Sequence, residues 1–163
     1  MRHLSIHRHH QPSPRTEFLE GLAAFRDCTE AEVEEIDRYG VTMPIAAGKV
    51  IAWQGRAARE CFLIESGEVE ILDGETRVGT LGPGSWIGEM AVVAGNLRCA
   101  SVRTTTAVSV LTFNAAELQH LLRYVPGLSG RLRSEVAGRQ AENAVTGLCQ
   151  VRPGTARRRL ATV

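Results

Sequence analysis

The sequence predicts an α+β fold in which a closed or nearly closed β structure, either a jelly roll or a small barrel, is flanked by helices. Three observations indicate this fold. Between Val41 and Phe113 the chain consists of β-rich runs of four to seven residues, with turns every eight to twelve residues. Nine of the 16 glycines lie between Gly48 and Gly95, where they supply those turns. Segments with helical capping signals precede and follow this region.

Length and composition limit what this chain can be. Its 163 residues have room for one ordinary domain, and its 44% hydrophobic and 23% charged residues are close to the average of globular proteins. The formal net charge is +1, from 19 basic and 18 acidic side chains. A chain this close to neutrality has no overall electrostatic attraction to nucleic acid or anionic lipid, so any anion binding must be local.

The N-terminal segment, residues 1–15, is polar and is predicted to be disordered. His7, His9 and His10 could together hold a metal ion, but nothing in the segment fixes a coordination geometry, so no metal is expected. No apolar run approaches the roughly 20 residues that span a bilayer, and no signal peptide is recognisable. These observations favour a cytoplasmic protein with no membrane partner.

The four cysteines, at positions 28, 61, 99 and 149, are widely spaced and form no CxxC pair. This spacing argues against a zinc site and against a disulfide framework. All four are therefore predicted to be thiols in a reducing compartment.

Residues 16–40 are predicted to be helical. Thr16 precedes the segment EFLEGLAAF, and Thr29 with Glu32 forms a capping box ahead of a second helix that Gly40 ends. The β region, residues 41–113, follows. Its clearest strand-like runs are KVIAW, CFLIESG, EVEIL, RVGTL, ASVRTTT and VSVLTF.

Two helices are predicted after the β region, over residues 114–148. Asn114 can cap the segment AAELQHLLRY, and Pro126 breaks that helix and opens a second one that extends to about Leu148. Residues 149–163 are basic and contain proline and glycine, which predicts a flexible tail. The predicted domain therefore spans residues 16–148.

One stretch of the β region, Gly82–Val102, is unlike a strand. It places glycines before a short apolar segment that is compatible with a helix, and Arg98 follows shortly afterwards. Glycines allow backbone N–H groups to turn inward at the start of a short helix, and Arg98 can add a charge-assisted contact to phosphate oxygens. Glu89 is a poor neighbour for a free anion but a suitable acceptor for a sugar hydroxyl. The pattern therefore indicates a site for a phosphate and a ribose.

The same residues also have a purely structural interpretation. Taken alone, the pattern favours this structural interpretation over a ligand site. Gly82, Gly84 and Gly88 could be hairpin glycines, and Arg98 and Glu89 could form a surface ion pair. The segment GPGSWIG departs by one residue from the dinucleotide-binding pattern GxGxxG and has no βαβ unit around it. A Rossmann site is therefore disfavoured.

Over residues 18–148 the sequence resembles the cyclic nucleotide-binding domain family, as found in bacterial catabolite activator proteins and protein kinase A regulatory subunits. The resemblance rests on AGKVIAWQG, FLIESGEVEIL, RVGTLGPGSWIGEMAVVAG and RCASV, in the family's order and spacing. It implies an eight-stranded antiparallel β roll, jelly-roll-like, with flanking N-terminal and C-terminal helices. It also identifies the family's phosphate-binding cassette with Gly88, Glu89, Met90, Ala91, Arg98, Cys99, Ala100, Ser101 and Val102.

The resemblance implies a role for several of these residues and a cyclic nucleotide as the ligand. Glu89 would accept a hydrogen bond from the ribose 2′-OH, and Arg98 would hold the cyclic phosphate. The backbone N–H groups of Met90, Ala91 and Ala100 would complete the cradle around the phosphate.

Three positions depart from the family pattern. Cys99 stands where family members have Ser, Thr or Ala, at a position that helps to distinguish guanine from adenine. Because a thiol is a weak donor, the base preference stays open, with cyclic AMP ranked ahead of cyclic GMP. Ile87 replaces an aromatic residue and Leu97 replaces a frequent proline, and neither change removes a functional group.

The last predicted helix carries one stripe at spacings of four, four, three and four residues, formed by Leu128, Leu132, Val136, Arg139 and Asn143. In the catabolite activator proteins the corresponding helix dimerises in parallel and closes over the ligand. The resemblance therefore implies a homodimer, with Arg139 approaching Glu89 and Asn143 contacting the base. The alternative is that Arg139 and Asn143 are only solvated at the end of the stripe.

The sequence contains no G-x-S-x-G, HExxH or P-loop motif, so no enzymatic activity is expected. His120, outside the N-terminal segment, is expected to be a core or rim residue. Catabolite activators follow their long helix with a helix-turn-helix, whereas this chain ends 15 residues after Leu148, so no specific DNA binding is expected.

Two hypotheses for the function remain open. The first is a stand-alone sensor that binds cyclic AMP or cyclic GMP, changes the packing of its terminal helices and acts on an unidentified protein partner. The second is a β-roll interaction module of the same fold that no longer binds nucleotide. Arg98 and Glu89 favour the sensor, because a module without a ligand has no reason to keep both beside Gly88.

Overall fold

The computed structural model describes residues 13–147, and predictions that fall on residues 1–12 and 148–163 lie outside this range. They include the possible histidine metal site, most of the N-terminal segment predicted to be disordered, Cys149 and the basic tail. Within the described range, no helix is both long enough and apolar enough to cross a membrane.

The first helix, α1 (Pro14–Glu20), begins two residues earlier than the sequence predicts. The hydroxyl of Ser13 accepts a hydrogen bond from the N–H of Thr16 at 3.1 Å, and Pro14 occupies the first helical position. Pro14 and Arg15, which the sequence assigned to the disordered segment, are therefore helical. A single 3₁₀ turn (Ala23–Phe25) replaces the end of the predicted helix.

The second helix, α2 (Glu30–Tyr39), confirms the predicted capping box and the predicted stop. The Thr29 hydroxyl accepts from the Glu32 N–H at 3.3 Å, and the Glu32 carboxylate accepts from the Thr29 N–H at 2.7 Å. At the other end of α2, a Cβ on Gly40 would lie 2.5 Å from the side chain of Leu111. The absence of a side chain at Gly40 therefore allows the backbone to pass close to Leu111.

Eight strands form the predicted roll: β1 (Val41–Ile45), β2 (Val50–Ala52), β3 (Glu60–Ser66), β4 (Val69–Asp73), β5 (Thr76–Leu81), β6 (Trp86–Ile87), β7 (Ser101–Thr104) and β8 (Val108–Asn114). They make two four-stranded antiparallel sheets, in the orders β1-β8-β3-β6 and β2-β7-β4-β5. The α+β class and the eight-stranded antiparallel roll are both confirmed.

Two of these strands, β1 and β6, are absent from the runs that the sequence pattern singled out. β1 contains Pro44, which is tolerated because this strand lies at the edge of its sheet and pairs only with β8. β6 has only two residues, Trp86 and Ile87, which pair with Leu63 and Phe62 of β3. A pairing of two residues leaves no alternating pattern in the sequence.

Alternation along β3 divides the hydrophobic core into two parts. Phe62 and Ile64 belong to a cluster between the two sheets, inside the roll. Cys61 and Leu63 face the other side, in a cluster between the first sheet and the helices. The roll and its helical cover are therefore packed against one shared sheet.

The two predicted C-terminal helices are confirmed as α4 (Ala115–Tyr124) and α5 (Pro126–Thr146). Asn114 caps α4 and Pro126 is the first residue of α5, both as predicted. The helix α5 ends at Gly147, whose φ of 74° lies in the left-handed region. The apolar half of the predicted stripe is buried, namely Leu128, Leu132 and Val136.

The start of α5 packs against α2 and against the residues that immediately precede α2. The N–H of Gly127 donates to the Glu32 carboxylate at 3.1 Å. A Cβ on Gly127 would lie 2.3 Å from the carbonyl oxygen of Asp27, so only glycine permits this approach. Anchored in this way at its first turn, α5 extends its last turns over the roll.

The prediction that every cysteine is a thiol is wrong for Cys99, which is disulfide-bonded in this structure. Wide spacing in the sequence excludes only short-range pairs, since folding can bring distant cysteines together. Cys28 and Cys61 are free, as predicted. Burial raises the pKa of the Cys28 thiol to about 11 and also raises that of Cys61, so neither is a reactive thiolate.

His120 lies half-buried at the rim of the helical core, as expected. Its ring packs between those of Tyr39 and Tyr124, and its Nε2 is 3.1 Å from the Tyr39 hydroxyl. The contact joins α2 to α4 and packs the two helices together.

Candidate ligand-binding site

A cavity of about 480 Å³ lies between the β4–β5 hairpin, the short helix α3 (Glu89–Ala94) and the last turns of α5. Its volume is in the range of small-molecule sites. The structure brings all nine residues of the predicted site to its lining, namely Gly88, Glu89, Met90, Ala91, Arg98, Cys99, Ala100, Arg139 and Asn143.

The beginning of α3 forms one wall of the cavity. Gly88 precedes the helix with a φ of 81°, a left-handed conformation that glycine adopts without strain. The first N–H with a carbonyl partner at the start of the helix is that of Val92, which donates to the Gly88 oxygen at 3.3 Å. Before it, the N–H groups of Glu89 and Met90 donate to the Glu89 carboxylate, so this end of α3 already stabilises a negative charge.

Arg98 is a buried cation at this end of the cavity, with 8% of its surface exposed. Its Nη2 donates to the carbonyl oxygen of Glu60 at 2.6 Å, whereas its buried Nη1 has no hydrogen-bond partner within residues 13–147. Burial lowers the pKa of the guanidinium, although arginine stays charged at neutral pH. The side chain is therefore held in place with donor capacity unused.

Glu89 is the second buried charge, with 1% of its surface exposed. Its carboxylate pairs with Nη1 of Arg139, which also donates to the carbonyl oxygen of Trp86 at 3.2 Å. Burial raises the pKa of Glu89, and the nearby charge of Arg139 partly opposes that rise. The ion pair connects α5 directly to α3.

Asn143 lies one turn beyond Arg139, and its Nδ2 is 4.0 Å from the sulfur of Met90. The two polar residues of the α5 stripe therefore both reach α3 and the cavity, and neither is merely solvated. Whether they contact a ligand remains a prediction.

Sequence reasoning missed the opposite wall, which the β4–β5 hairpin contributes through Ile71, Asp73, Val78 and Leu81. No local sequence motif identifies these residues as part of a site. The wall forms only when β4 pairs with β7 within the second sheet. Glu142 and Thr146 were also missed. They could have been found, since both lie three residues from a stripe position and so on a neighbouring face of the helix.

The residues present fit an organic phosphate better than a metal. Within residues 13–147 there is no group of three or more His, Cys, Asp or Glu side chains that could hold a metal ion. The unpaired Nη1 of Arg98 provides a donor for an anion, and Glu89 provides an acceptor for a hydroxyl close to it.

Comparison with known proteins identifies the family of this domain. The family described as cyclic nucleotide-binding domain matches residues 42–124, which is more than half of the chain. This chain belongs to the cyclic nucleotide-binding domain family. The resemblance seen in the sequence is thereby confirmed.

The relatives of this cyclic nucleotide-binding domain include both a kinase regulatory subunit and a potassium channel. The chain is 34% identical over 116 residues to a cAMP-dependent protein kinase regulatory subunit of Hypocrea atroviridis, which covers 71% of this chain and 25% of that protein. It is 29% identical over 124 residues to a cyclic nucleotide-gated potassium channel of Rhizobium etli, covering 76% of this chain and 35% of the channel. The chain thus spans about a third or less of these two relatives.

Among solved structures, the domain is similar to the catabolite activator protein of Thermus thermophilus. The TM-score is 0.67 at 25% sequence identity, and the match covers 76% of this chain and 60% of that protein. A kinase regulatory subunit, a potassium channel and a catabolite activator protein are all similar to this domain, so the similarity alone does not define what the domain controls.

Proposed function

We propose that this domain is a sensor that binds a cyclic nucleotide in the cavity beneath α5. The observation that carries the proposal is the buried Nη1 of Arg98, which has no partner among the described residues and borders the cavity beside Gly88. A buried donor without an acceptor is costly, and a cyclic phosphate would satisfy it with a charge-assisted hydrogen bond.

The proposed ligand lies across three groups of residues. Arg98 and the backbone N–H groups of Met90, Ala91 and Ala100 hold the phosphate. Glu89 accepts from the ribose 2′-OH with the oxygen that Arg139 does not occupy, and Asn143 and Cys99 face the base. Cyclic AMP is the first candidate, supported by the relative named for its dependence on cAMP, and cyclic GMP is the second.

The alternative, an interaction module without a ligand, is disfavoured by the cost of the two buried charges. Glu89 and Arg98 are 1% and 8% exposed, and burying charged groups destabilises a fold unless they are paired. A module without a ligand would gain by replacing Arg98 with an apolar residue. A ligand that completes its pairing explains why it is kept.

We propose no catalytic role for the domain; two of its relatives are named as a kinase regulatory subunit and as a channel. Ligand binding would change how α5 packs on α3, and the change would act on a protein partner in the cytoplasm that the sequence does not identify. Specific DNA binding and membrane binding are not part of the proposal.

A homodimer through α5 is part of the proposal. The face of α5 opposite its buried stripe is exposed and consists of small residues at spacings of four, three, four and three, namely Gly130, Ser134, Ala137, Ala141 and Ala144. Small residues allow two helices to approach closely along such a face. Light scattering is the measurement for this step, and a monomeric mass at high concentration would contradict it.

The test of the binding site compares two arginines only five positions apart. Arg98→Ala is expected to weaken cyclic AMP binding by about 2 to 5 kcal/mol, the usual loss when one member of a desolvated charged pair is removed. Arg103→Ala is the matched control, because Arg103 is half-exposed and pairs with Glu70 at 2.6 Å, outside the cavity. Equal affinities of Arg98→Ala and the wild type in an equilibrium titration would place the phosphate elsewhere.

A further inference from the structure

Cys99 makes a disulfide bond at the lining of the cavity. It stands between Arg98 and Ala100, which belong to the same lining and to the proposed phosphate cradle. A thiol at this position would be a small and weakly polar part of the wall. A disulfide instead fixes a second stretch of chain there, so its presence bears directly on whether a ligand can enter.

The cysteine count identifies a candidate partner within this chain. Of the four cysteines, Cys28 and Cys61 are free thiols. The remaining one, Cys149, lies outside the described residues, a few positions after Thr146. Thr146 is the last residue of α5 and lines the same cavity as Cys99. Three residues of extended chain reach about 10 Å, so a bond between Cys99 and Cys149 is compatible with the place where α5 ends.

A bond at Cys99 changes both the space and the freedom of the cavity wall. A disulfide joins sulfurs about 2 Å apart and holds the two Cα atoms about 4 to 7 Å apart. The partner sulfur and its chain therefore lie at the cavity lining, beside Arg98 and Ala100. The bond also ties the chain that follows α5 to the cradle, in addition to the ion pair between Arg139 and Glu89.

We propose that Cys99 and Cys149 form a redox pair, whose disulfide keeps a cyclic nucleotide out of the cavity and whose thiols admit it. This inference rests on the proposed function, which places the phosphate beside Arg98 and the N–H of Ala100. When the disulfide forms, the two thiols lose two electrons and two protons, and a peroxide takes them up as its O–O bond breaks to give two waters. A dithiol reductant returns the electrons and protons and becomes its own disulfide.

The experiment titrates cyclic AMP into wild-type protein that has been oxidised with hydrogen peroxide or reduced with dithiothreitol. Peptide mass mapping without reduction is expected to find the peptides of Cys99 and Cys149 joined in the oxidised sample. The reduced protein is expected to bind about tenfold more tightly or better, because the apparent affinity falls with the fraction of protein that can accept the ligand. Reducing the oxidised sample again should restore the affinity.

Two serine variants identify the cysteines that matter. Cys149→Ser should bind cyclic AMP as the reduced wild type does under both conditions, because no bridge can form. Cys28→Ser is the matched control, since Cys28 is a free thiol that packs against the helical core and does not line the cavity, and it should keep the wild-type redox difference. Equal affinities of the oxidised and reduced wild type, or a redox difference that persists in Cys149→Ser, would overturn the inference alone.

Hydrogen exchange without ligand distinguishes a failure of this inference from a failure of the proposed function. Amide exchange over residues 139–146 is expected to be slower in the oxidised than in the reduced wild type, and equal in the two samples of Cys149→Ser. Unchanged exchange together with unjoined peptides would overturn the redox pair. If the peptides are joined but neither redox form binds cyclic AMP or cyclic GMP, the proposed function fails, and the exclusion of nucleotide by the disulfide fails with it.

Discussion

Gly88 has no side chain because Arg98 lies where one would be. A Cβ at this position would be 1.5 Å from Nη1 of Arg98, and the φ of 81° is one that other residues rarely adopt. The glycine thus serves two purposes, since it turns the chain into α3 and leaves space for the guanidinium. Either purpose alone would explain a glycine, but only the second relates it to a ligand.

A pair of glycine substitutions separates these two purposes. Gly88→Ala is expected to destabilise the fold by about 1 to 3 kcal/mol through backbone strain, and to weaken cyclic AMP binding by about 2 kcal/mol or more by displacing Arg98. Gly95→Ala carries a similar strain, with a φ of 67°, but its Cβ would meet open space. Chemical denaturation and titration should therefore show two destabilised variants, of which only Gly88→Ala binds poorly. Equal affinities in the two variants would contradict the account.

The carboxylate of Glu89 makes stability depend on pH. Burial is the largest cause of its raised pKa, so the folded state prefers the protonated carboxyl and gains stability from it below the ordinary pKa of 4.5. That stability is lost as the pH rises through the raised pKa, because the buried group then becomes charged. At neutral pH, Glu89 is kept at a cost to the fold.

Glu89→Gln removes that cost, because the amide is neutral at every pH. The thermal midpoint of the variant minus that of the wild type is expected to be positive at neutral pH and to fall toward zero as the pH drops below the ordinary glutamate pKa. Scanning calorimetry over that pH range is the measurement. A difference that instead grows as the pH falls would mean that the pair with Arg139 outweighs the burial of the carboxylate.

At the scale of elements, α5 connects the N-terminal helical region to the cavity. Its first turn is fixed by the contact of Gly127 with Glu32, its middle is buried in the core, and Arg139 reaches Glu89 near its end. Beyond Arg139 the helix is largely exposed, and the contact of Asn143 with Met90 is long. The last turns of α5 are therefore held over the cavity mainly by Arg139.

Hydrogen exchange of the last turns of α5 tests this arrangement. Arg139→Ala is expected to speed amide exchange over residues 139–146, because the ion pair that holds these turns to α3 is lost, and to reduce the protection that cyclic AMP confers on them. Arg133→Ala is the matched control, since Arg133 is exposed on the same helix and bonds only the Ser129 hydroxyl among the described residues, at 3.3 Å. Identical exchange in both variants would contradict a role for Arg139 in holding α5.

At the scale of the whole molecule, the features that the sequence predicts are those with local signals. The capping boxes at Thr29 and Asn114, the break at Pro126 and the glycine before α3 are each specified by a few adjacent residues, and each is present in the structure. The stripe on α5 was predicted from helical periodicity, and the approach of Arg139 to Glu89 was predicted from the family resemblance.

Features that depend on distant pairing were not predictable. β6 exists only because Trp86 and Ile87 meet β3, and the hairpin wall of the cavity faces α5 only once both sheets have closed. The disulfide at Cys99 belongs to this class, because wide spacing along a chain says nothing about spacing in the fold.

Calorimetric titration of the wild-type protein with cyclic AMP and with cyclic GMP tests the central claim most directly. The account predicts saturable heat from at least one of the two nucleotides at micromolar protein, with one site per chain. It also predicts that this heat disappears at the same ligand concentrations in Arg98→Ala but persists in Arg103→Ala. No heat from either nucleotide with the wild type would contradict the claim, and would leave the roll as an interaction module that carries two buried charges without a ligand.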